Sequence, residues 1–182
     1  MNGQRPRGLL LALVSSLALA APGGAAAATA AETASEASAL VEEIGERRAR
    51  TWHWQRVMGR RRSPTLYLER ATSDIVLLTS LRDLWRGRAR AARARVLRPP
   101  HRVQWLCIHR HEGAWNDPNA PYYGGLQMSI GFQRAYGRYL LRRRGTANRW
   151  TTEEQMWTAE RALRAGSGFH PWPVAARRCG LI

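Results

Sequence analysis

A mainly α fold (α+β), with a short β-hairpin and an arginine-rich helical extension ahead of it, is predicted by three features of this 182-residue sequence. Ile75, Leu78, Leu81 and Trp85 recur at helical spacing, the mark of an amphipathic helix. Thr151 and Glu154 form a capping box in front of a helix that runs through Met156, Trp157 and Leu163. The paired glycines Gly124 and Gly125, between Tyr122-Tyr123 and the segment Leu126 to Ser129, allow either a tight hairpin turn or a close approach to a ligand.

Composition narrows the class. Apolar residues make up 45% of the chain and there are 8 tryptophans, enough for a packed core in one domain or one small domain with an extension. A large multidomain enzyme, a collagen-like fibre and a multi-pass membrane protein are excluded. The 29 basic residues against 13 acidic ones give a formal charge of +16, and every basic residue is arginine. Exclusive arginine use alongside so much Ala and Gly reads as GC-rich coding bias before it reads as function.

Residues 1–30 have the layout of a secretory signal peptide. Arg5 and Arg7 form a basic start, Gly8 to Ala21 is an uncharged apolar run, and Gly23 to Ala31 offers small-residue cleavage sites such as Ala28-Thr29-Ala30. The apolar run is shorter than the roughly 20 residues of a membrane span. An exported protein, secreted or held at the cell wall, is therefore expected. In an oxidising compartment Cys107 and Cys179 pair as one disulfide. A zinc site built from these cysteines with His109, His111 and His170 is disfavoured, because no C-x-x-C spacing exists and His109 leaves the face shared by Cys107 and His111. Neither metal nor cofactor is expected.

Residues 31–100 read as the extension. Residues 32–50 mix Ala, Glu and Arg as a solvated lead-in, and Trp52, Trp54, Val57 and Met58 form an apolar patch that needs a surface to cover. Ser63-Pro64-Thr65 breaks the chain. The helix from Asp74 continues into Arg86, Arg88, Arg90, Arg93, Arg95 and Arg98, and Pro99-Pro100 marks a boundary. Such a charge run is either a solvated face or an arm for polyanions. Export ranks anionic wall polymers above nucleic acid as its partner.

Residues 101–182 carry the chemistry. His101 to Trp115 reads as one helix with two apolar stripes, Val103, Leu106, Cys107 and Ala114 on one and Trp105, Ile108 and Trp115 on the other. Glu112 falls on the second stripe, where apolar surroundings would resist its ionisation and suit it to general acid work. A solvent-facing helix end accounts for it equally well. Asn116 to Pro121 is a loop of turn-formers, and Asp117 before Pro118 fits that job. Phe132 to Leu141 reads as one helix with Phe132, Ala135, Tyr136 and Tyr139 on one side. Gly166 to Gly168 ends the helix begun at Thr151, and Pro171-Trp172-Pro173-Val174 opens a last short one.

The runs W-L-C-I-H-R-H-E-G-A-W, Y-Y-G-G-L-Q-M-S, F-Q-R-A-Y-G, E-Q-M-W-T-A-E-R-A and G-F-H-P-W-P-V follow one another over about residues 102 to 182. In that order they resemble the transglycosylase-like domain of actinobacterial resuscitation-promoting factors, of the lysozyme superfamily. The resemblance implies a small, mostly helical lysozyme-like domain with a short hairpin, acting on peptidoglycan glycan strands; a monomer is expected. It places the catalytic glutamate on Glu112 and the sugar-lining segment on Tyr122, Tyr123, Gly124, Gly125 and Gln127, with Trp115 beside them. The family's usual cysteines lie directly before the glutamate and directly after W-P-V. Here Cys107 lies five residues before Glu112, and Ala175 stands where the partner is usual, with Cys179 four later. Each has moved about one helical turn, which implies a relocated bridge.

Counting acids bounds the reaction. From His101 onward the carboxylates are Glu112, Asp117, Glu153, Glu154 and Glu160, so Asp117 is the one nearby second acid for Glu112. Glycosidases ordinarily use two carboxylates, with substrate-assisted exceptions. The expected activity is cleavage of the β-1,4 bond with Glu112 as acid and then base. The competing readings are a wall-binding protein that keeps the fold without the chemistry, and a secreted polyanion-binding module.

Overall fold

The computed structural model describes residues 23–182. The basic start and apolar run of the expected signal peptide lie outside the described residues. Among the described residues the protein is mainly α, with seven helices, short 3₁₀ turns at Tyr67–Arg70 and Ala147–Arg149, and one two-stranded antiparallel hairpin. No helix there is long and apolar enough to cross a membrane.

Helix α1 (Gly23–Val57) is one continuous element, so the lead-in and the aromatic patch are the same helix. The expected cleavage tract forms its first turns. Its buried residues begin further on, at Leu40 and Ile44, which pack with Leu78, Leu81 and Trp85 of helix α2 (Ile75–Val96). Asp74 caps α2 by accepting from the backbone N–H groups of Val76 and Leu77. The two helices run side by side in the same direction: Leu40 sits with Leu78, Trp52 meets Trp85 edge-on, and Arg93 lies 5.2 Å over Trp54. Residues 58–74 return along the pair, held by Trp52 Nε1 donating to the Ser63 carbonyl and by Arg48 on Glu69.

The expected break at Pro99-Pro100 separates helices without separating cores. Val57, Met58, Ala92 and Val96 join one cluster with Trp105, Ile108, Leu126, Met128, Leu140, Met156, Trp157 and Trp172. Trp157 Nε1 donates to the Val96 carbonyl, and Arg161 and Arg164 donate to the carbonyls of Arg56, Val57 and Met58 that end α1. The Arg56 carbonyl also accepts from the Gly59 backbone N–H, and the two guanidiniums complete the C-cap from elsewhere in the chain.

Helix α3 (Arg102–Glu112) is shorter than the sequence suggested. It stops at Gly113, and Ala114 and Trp115 belong to the loop. Only one face is buried, through Trp105 and Ile108; Val103 is 76% exposed and Ala114 is exposed. Buried Glu160 holds its start, accepting from the His101 backbone N–H at 2.8 Å and from Trp105 Nε1 at 2.9 Å. The hairpin pairs β1 (Tyr122–Tyr123) with β2 (Met128–Ser129). The helix expected over Phe132 to Leu141 is two, α4 (Ile130–Tyr136) and α5 (Arg138–Arg144). A Cβ on Gly137 would stand 2.4 Å from the Trp150 ring, so the break is where the chain yields to a tryptophan. Ala135 faces solvent. Helix α6 (Thr152–Ala162) carries the expected capping box, with Thr151 Oγ1 accepting from Glu154 N and Glu154 Oε2 from Thr151 N. A kinked turn over Leu163–Ser167 follows, and α7 (Pro173–Arg178) begins with its proline in the first turn.

Candidate active site

Cys107 on α3 and Cys179 at the end of α7 form a disulfide, with Cα atoms 6.1 Å apart. It fastens the last helix against α3 and so brings Pro171 to Val174 alongside Glu112. Between them runs a cleft of about 340 Å³ lined by His111, Glu112, Tyr122, Gln127, Pro171, Trp172, Pro173 and Val174. A smaller recess of about 80 Å³ continues it past Met128, Ser129 and Phe132, with Tyr122, Gln127, Pro171 and Trp172 common to both. Tyr122 and Val174 expose 51% and 61% of their surface. Exposed apolar and aromatic groups beside a carboxyl give one wall for stacking and one group for proton transfer.

Glu112 is the last residue of α3. Its carboxyl has no hydrogen-bond or ion-pair partner among the described residues. Partial burial raises it above the ordinary carboxylate range, and the negative end of the helix dipole works in the same direction. Burial is the cause expected from the sequence, but the surroundings are not the expected ones. Trp115 does not share a helical stripe with Glu112; it stacks on His109 with ring centroids 4.0 Å apart, away from the cleft. Glu112 instead shares its cleft with Tyr122, Gln127 and Trp172.

Asp117 is a turn and anchoring residue. Oδ1 accepts from the backbone and side-chain amides of Asn119 at 3.0 and 2.6 Å, and Oδ2 accepts from Gln127 Nε2 at 2.8 Å. It thereby fixes the one cleft-lining side chain with a left-handed backbone, Gln127 at φ 45°. Gly113 makes room for this pair: a Cβ there would stand 2.9 Å from Gln127 Nε2.

The remaining sugar-segment residues serve the scaffold. Gly124, at φ 75°, lies against the Gln155 amide, where a Cβ would meet Oε1 at 2.5 Å. A Cβ on Gly125 would collide with His109 and Trp115 at 2.7 Å. Tyr123 is half-buried and packs on the core. Of the segment, Tyr122 and Gln127 reach the cleft, while Tyr123, Gly124, Gly125 and Trp115 do not line it.

The histidines also part company. His111 lies beside the disulfide, its ring within 4.8 Å of both sulfurs, but paired sulfurs are not thiolate ligands. His109 Nδ1 lies 3.1 Å from the Gly125 carbonyl, and His170 is exposed elsewhere. Of the other acids, Glu160 caps α3. Glu154 is fully buried, with His53 Nε2 at 3.2 Å and Arg144 Nε at 3.3 Å from Oε1.

Sequence reading missed Trp172, Pro171 and Val174 as cleft residues. Their signal was the cysteine pair, because a Cys107–Cys179 bridge necessarily carries residues 171–174 towards α3. Fold and site together define a mainly α protein with one unpartnered carboxyl in an aromatic-walled cleft. No family model, no curated protein and no solved structure matches the chain.

Proposed function

We propose that this protein is an exported muralytic enzyme that cleaves the β-1,4 glycosidic bond of peptidoglycan glycan strands, with Glu112 as general acid and then base. One observation carries the reading: the carboxyl left without a partner, raised by burial, lies in the cleft between Tyr122 and Trp172. The resemblance of residues 102 to 182 to transglycosylase-like domains points to the same glutamate.

The protonated Glu112 gives its proton to the glycosidic oxygen as the C1–O bond breaks, so the leaving sugar departs as an alcohol. Asp117 is engaged by Asn119 and Gln127, and the proposed route gives it no nucleophilic role. The acetamido oxygen of the substrate stabilises the positive charge at C1. Ionised Glu112 then takes a proton from the sugar's own 6-hydroxyl, closing an anhydro ring, or from water, giving a reducing end. Tyr122 offers a stacking face and Gln127, fixed by Asp117, offers its amide oxygen to a sugar hydroxyl.

Glu112→Gln keeps the shape and cannot transfer the proton. Purified full chain should release soluble muropeptides from isolated peptidoglycan, and the variant should lose activity by a factor of about 10² to 10⁴. Muropeptide masses separate anhydro from hydrated ends. A folded Glu112→Gln variant clearing peptidoglycan at the unaltered rate would remove the assignment. Binding of glycan without cleavage by either form would make the protein a wall-binding module.

A further inference from the structure

The arginines of the extension divide into two sets. One set is paired: Arg47 and Arg86 with Glu43, Arg50 with Glu46, Arg48 with Glu69, Arg82 and Arg86 with Asp83. Residues 47–68 and 84–111 contain no acid at all, and these stretches meet where α1 and α2 end. There Arg60, Arg61, Arg88 and Arg95 line a recess of about 380 Å³, which no carboxylate enters. A second recess of about 270 Å³ shares Arg60 and Arg95 and adds Arg98. None of these five arginines has an ion-pair partner among the described residues.

The recess has built features beyond its charge. Gln55 fixes Ser63 at two points, donating to its Oγ at 2.8 Å and accepting from its backbone N–H at 2.9 Å. The Ser63 hydroxyl hydrogen is thus left for another acceptor. Arg88 is positioned by stacking 4.7 Å over Trp85. The arginine run seen in the sequence is accordingly not one arm. Arg88, Arg95 and Arg98 face the two recesses, whereas Arg86, Arg90 and Arg93 line a separate groove beside Trp54.

We infer that the paired recesses are a binding site for a phosphodiester-linked wall polymer, with successive phosphates seated on Arg60, Arg61 and Arg88 and on Arg95 and Arg98. Guanidinium forks match phosphate oxygens in two-point hydrogen bonds, and two recesses sharing a wall suit a repeating anion better than a single one. The choice of a wall polymer over nucleic acid rests on the proposed export; the recess itself does not.

The test is calorimetric titration of the full chain with poly(glycerol phosphate), with polyglutamate and single-stranded DNA as comparison polymers. Arg60→Gln/Arg95→Gln should weaken poly(glycerol phosphate) binding at least about tenfold, as expected on losing charge-assisted hydrogen bonds. Arg142→Gln/Arg177→Gln removes equal charge from exposed helix positions and should cost less than about threefold, since such charges are screened. Both pairs are exposed, and both variants should melt as the parent does. Cleavage of short soluble glycan should be unchanged in both, so failure of the enzyme reading and failure of this site give different results. Equal losses in the two variants would overturn the site in favour of diffuse charge. Equal binding of polyglutamate would overturn the phosphate, and tighter binding of DNA would overturn the wall polymer.

Discussion

Partial burial holds the Glu112 carboxyl above the ordinary carboxylate range. Because the proposed first step uses the protonated acid, kcat/KM for glycan cleavage should be level at low pH and fall as pH rises through the raised Glu112 value, above the ordinary carboxylate range. The same shift has a sign in stability. A carboxyl whose value is raised by folding binds its proton more tightly in the folded chain, so stability is lost as pH climbs from the ordinary value through the raised one. Glu112→Gln should therefore melt higher than the parent at pH 7, and the difference should vanish at about pH 4 and below. A lower melting temperature for the variant at pH 7 would mean that the carboxylate is a structural partner. Asp117→Asn tests the other acid: its lost anchor on Gln127 should raise KM with a far smaller loss of kcat than at Glu112. Helical spacing left Glu112 between an apolar stripe and a solvent-facing helix end, and only the family resemblance singled it out. Its surroundings were not legible, because spacing carries Trp115 onto the helix, whereas Gly113 ends the helix to make room for the Gln127 amide.

At the scale of elements, the cleft depends on the disulfide. Cys107 stands one turn before His111 on α3, and Cys179 follows α7, so the bond spans the two walls. Closing a loop over 72 positions stabilises a domain by about 4 kcal/mol on the chain-entropy model. Cys107→Ser/Cys179→Ser should lower the urea midpoint accordingly, and glycan KM should rise because residues 171–174 are no longer held to α3. An unchanged midpoint with normal KM would show that packing of Trp172 and Ala175 alone sets the cleft. Elements with their own chemical punctuation were readable: the Thr151–Glu154 capping box, the Gly124-Gly125 turn and the proline opening α7 all form. The break between α4 and α5 was not, because it is imposed on Gly137 by Trp150, a contact with no local signature. The shared direction of α1 and α2 was hidden for the same reason, since it is set by residues 58–74 folding back.

For the whole molecule, the sequence suggests two parts and the packing joins them. Arg161 is the main fastening: its guanidinium donates to the carbonyls of Tyr136, Arg56 and Val57 and to Thr158 Oγ1. Burial first, and then the neighbouring Arg164, lowers its pKa to about 10, which still leaves it a cation at pH 7. The guanidinium then adds charge-assisted bonds at the negative end of the α1 dipole. Arg161→Ala would strand the part-buried carbonyls of Tyr136 and Val57, each worth up to about 1 to 3 kcal/mol when left without a donor. Lysine at this position has one ammonium for carbonyls on two segments, so Arg161→Lys should recover only part of the loss. Because Val57, Met58, Ala92 and Val96 lie in the same core as Trp105 and Trp157, the parent should unfold in one transition, with tryptophan fluorescence and helical circular dichroism coincident. In Arg161→Ala the extension should separate, giving an early loss of helix before the tryptophan core melts. Two transitions already present in the parent would show instead that the extension and residues 101–182 fold independently, and that the arginine contacts only decorate their boundary.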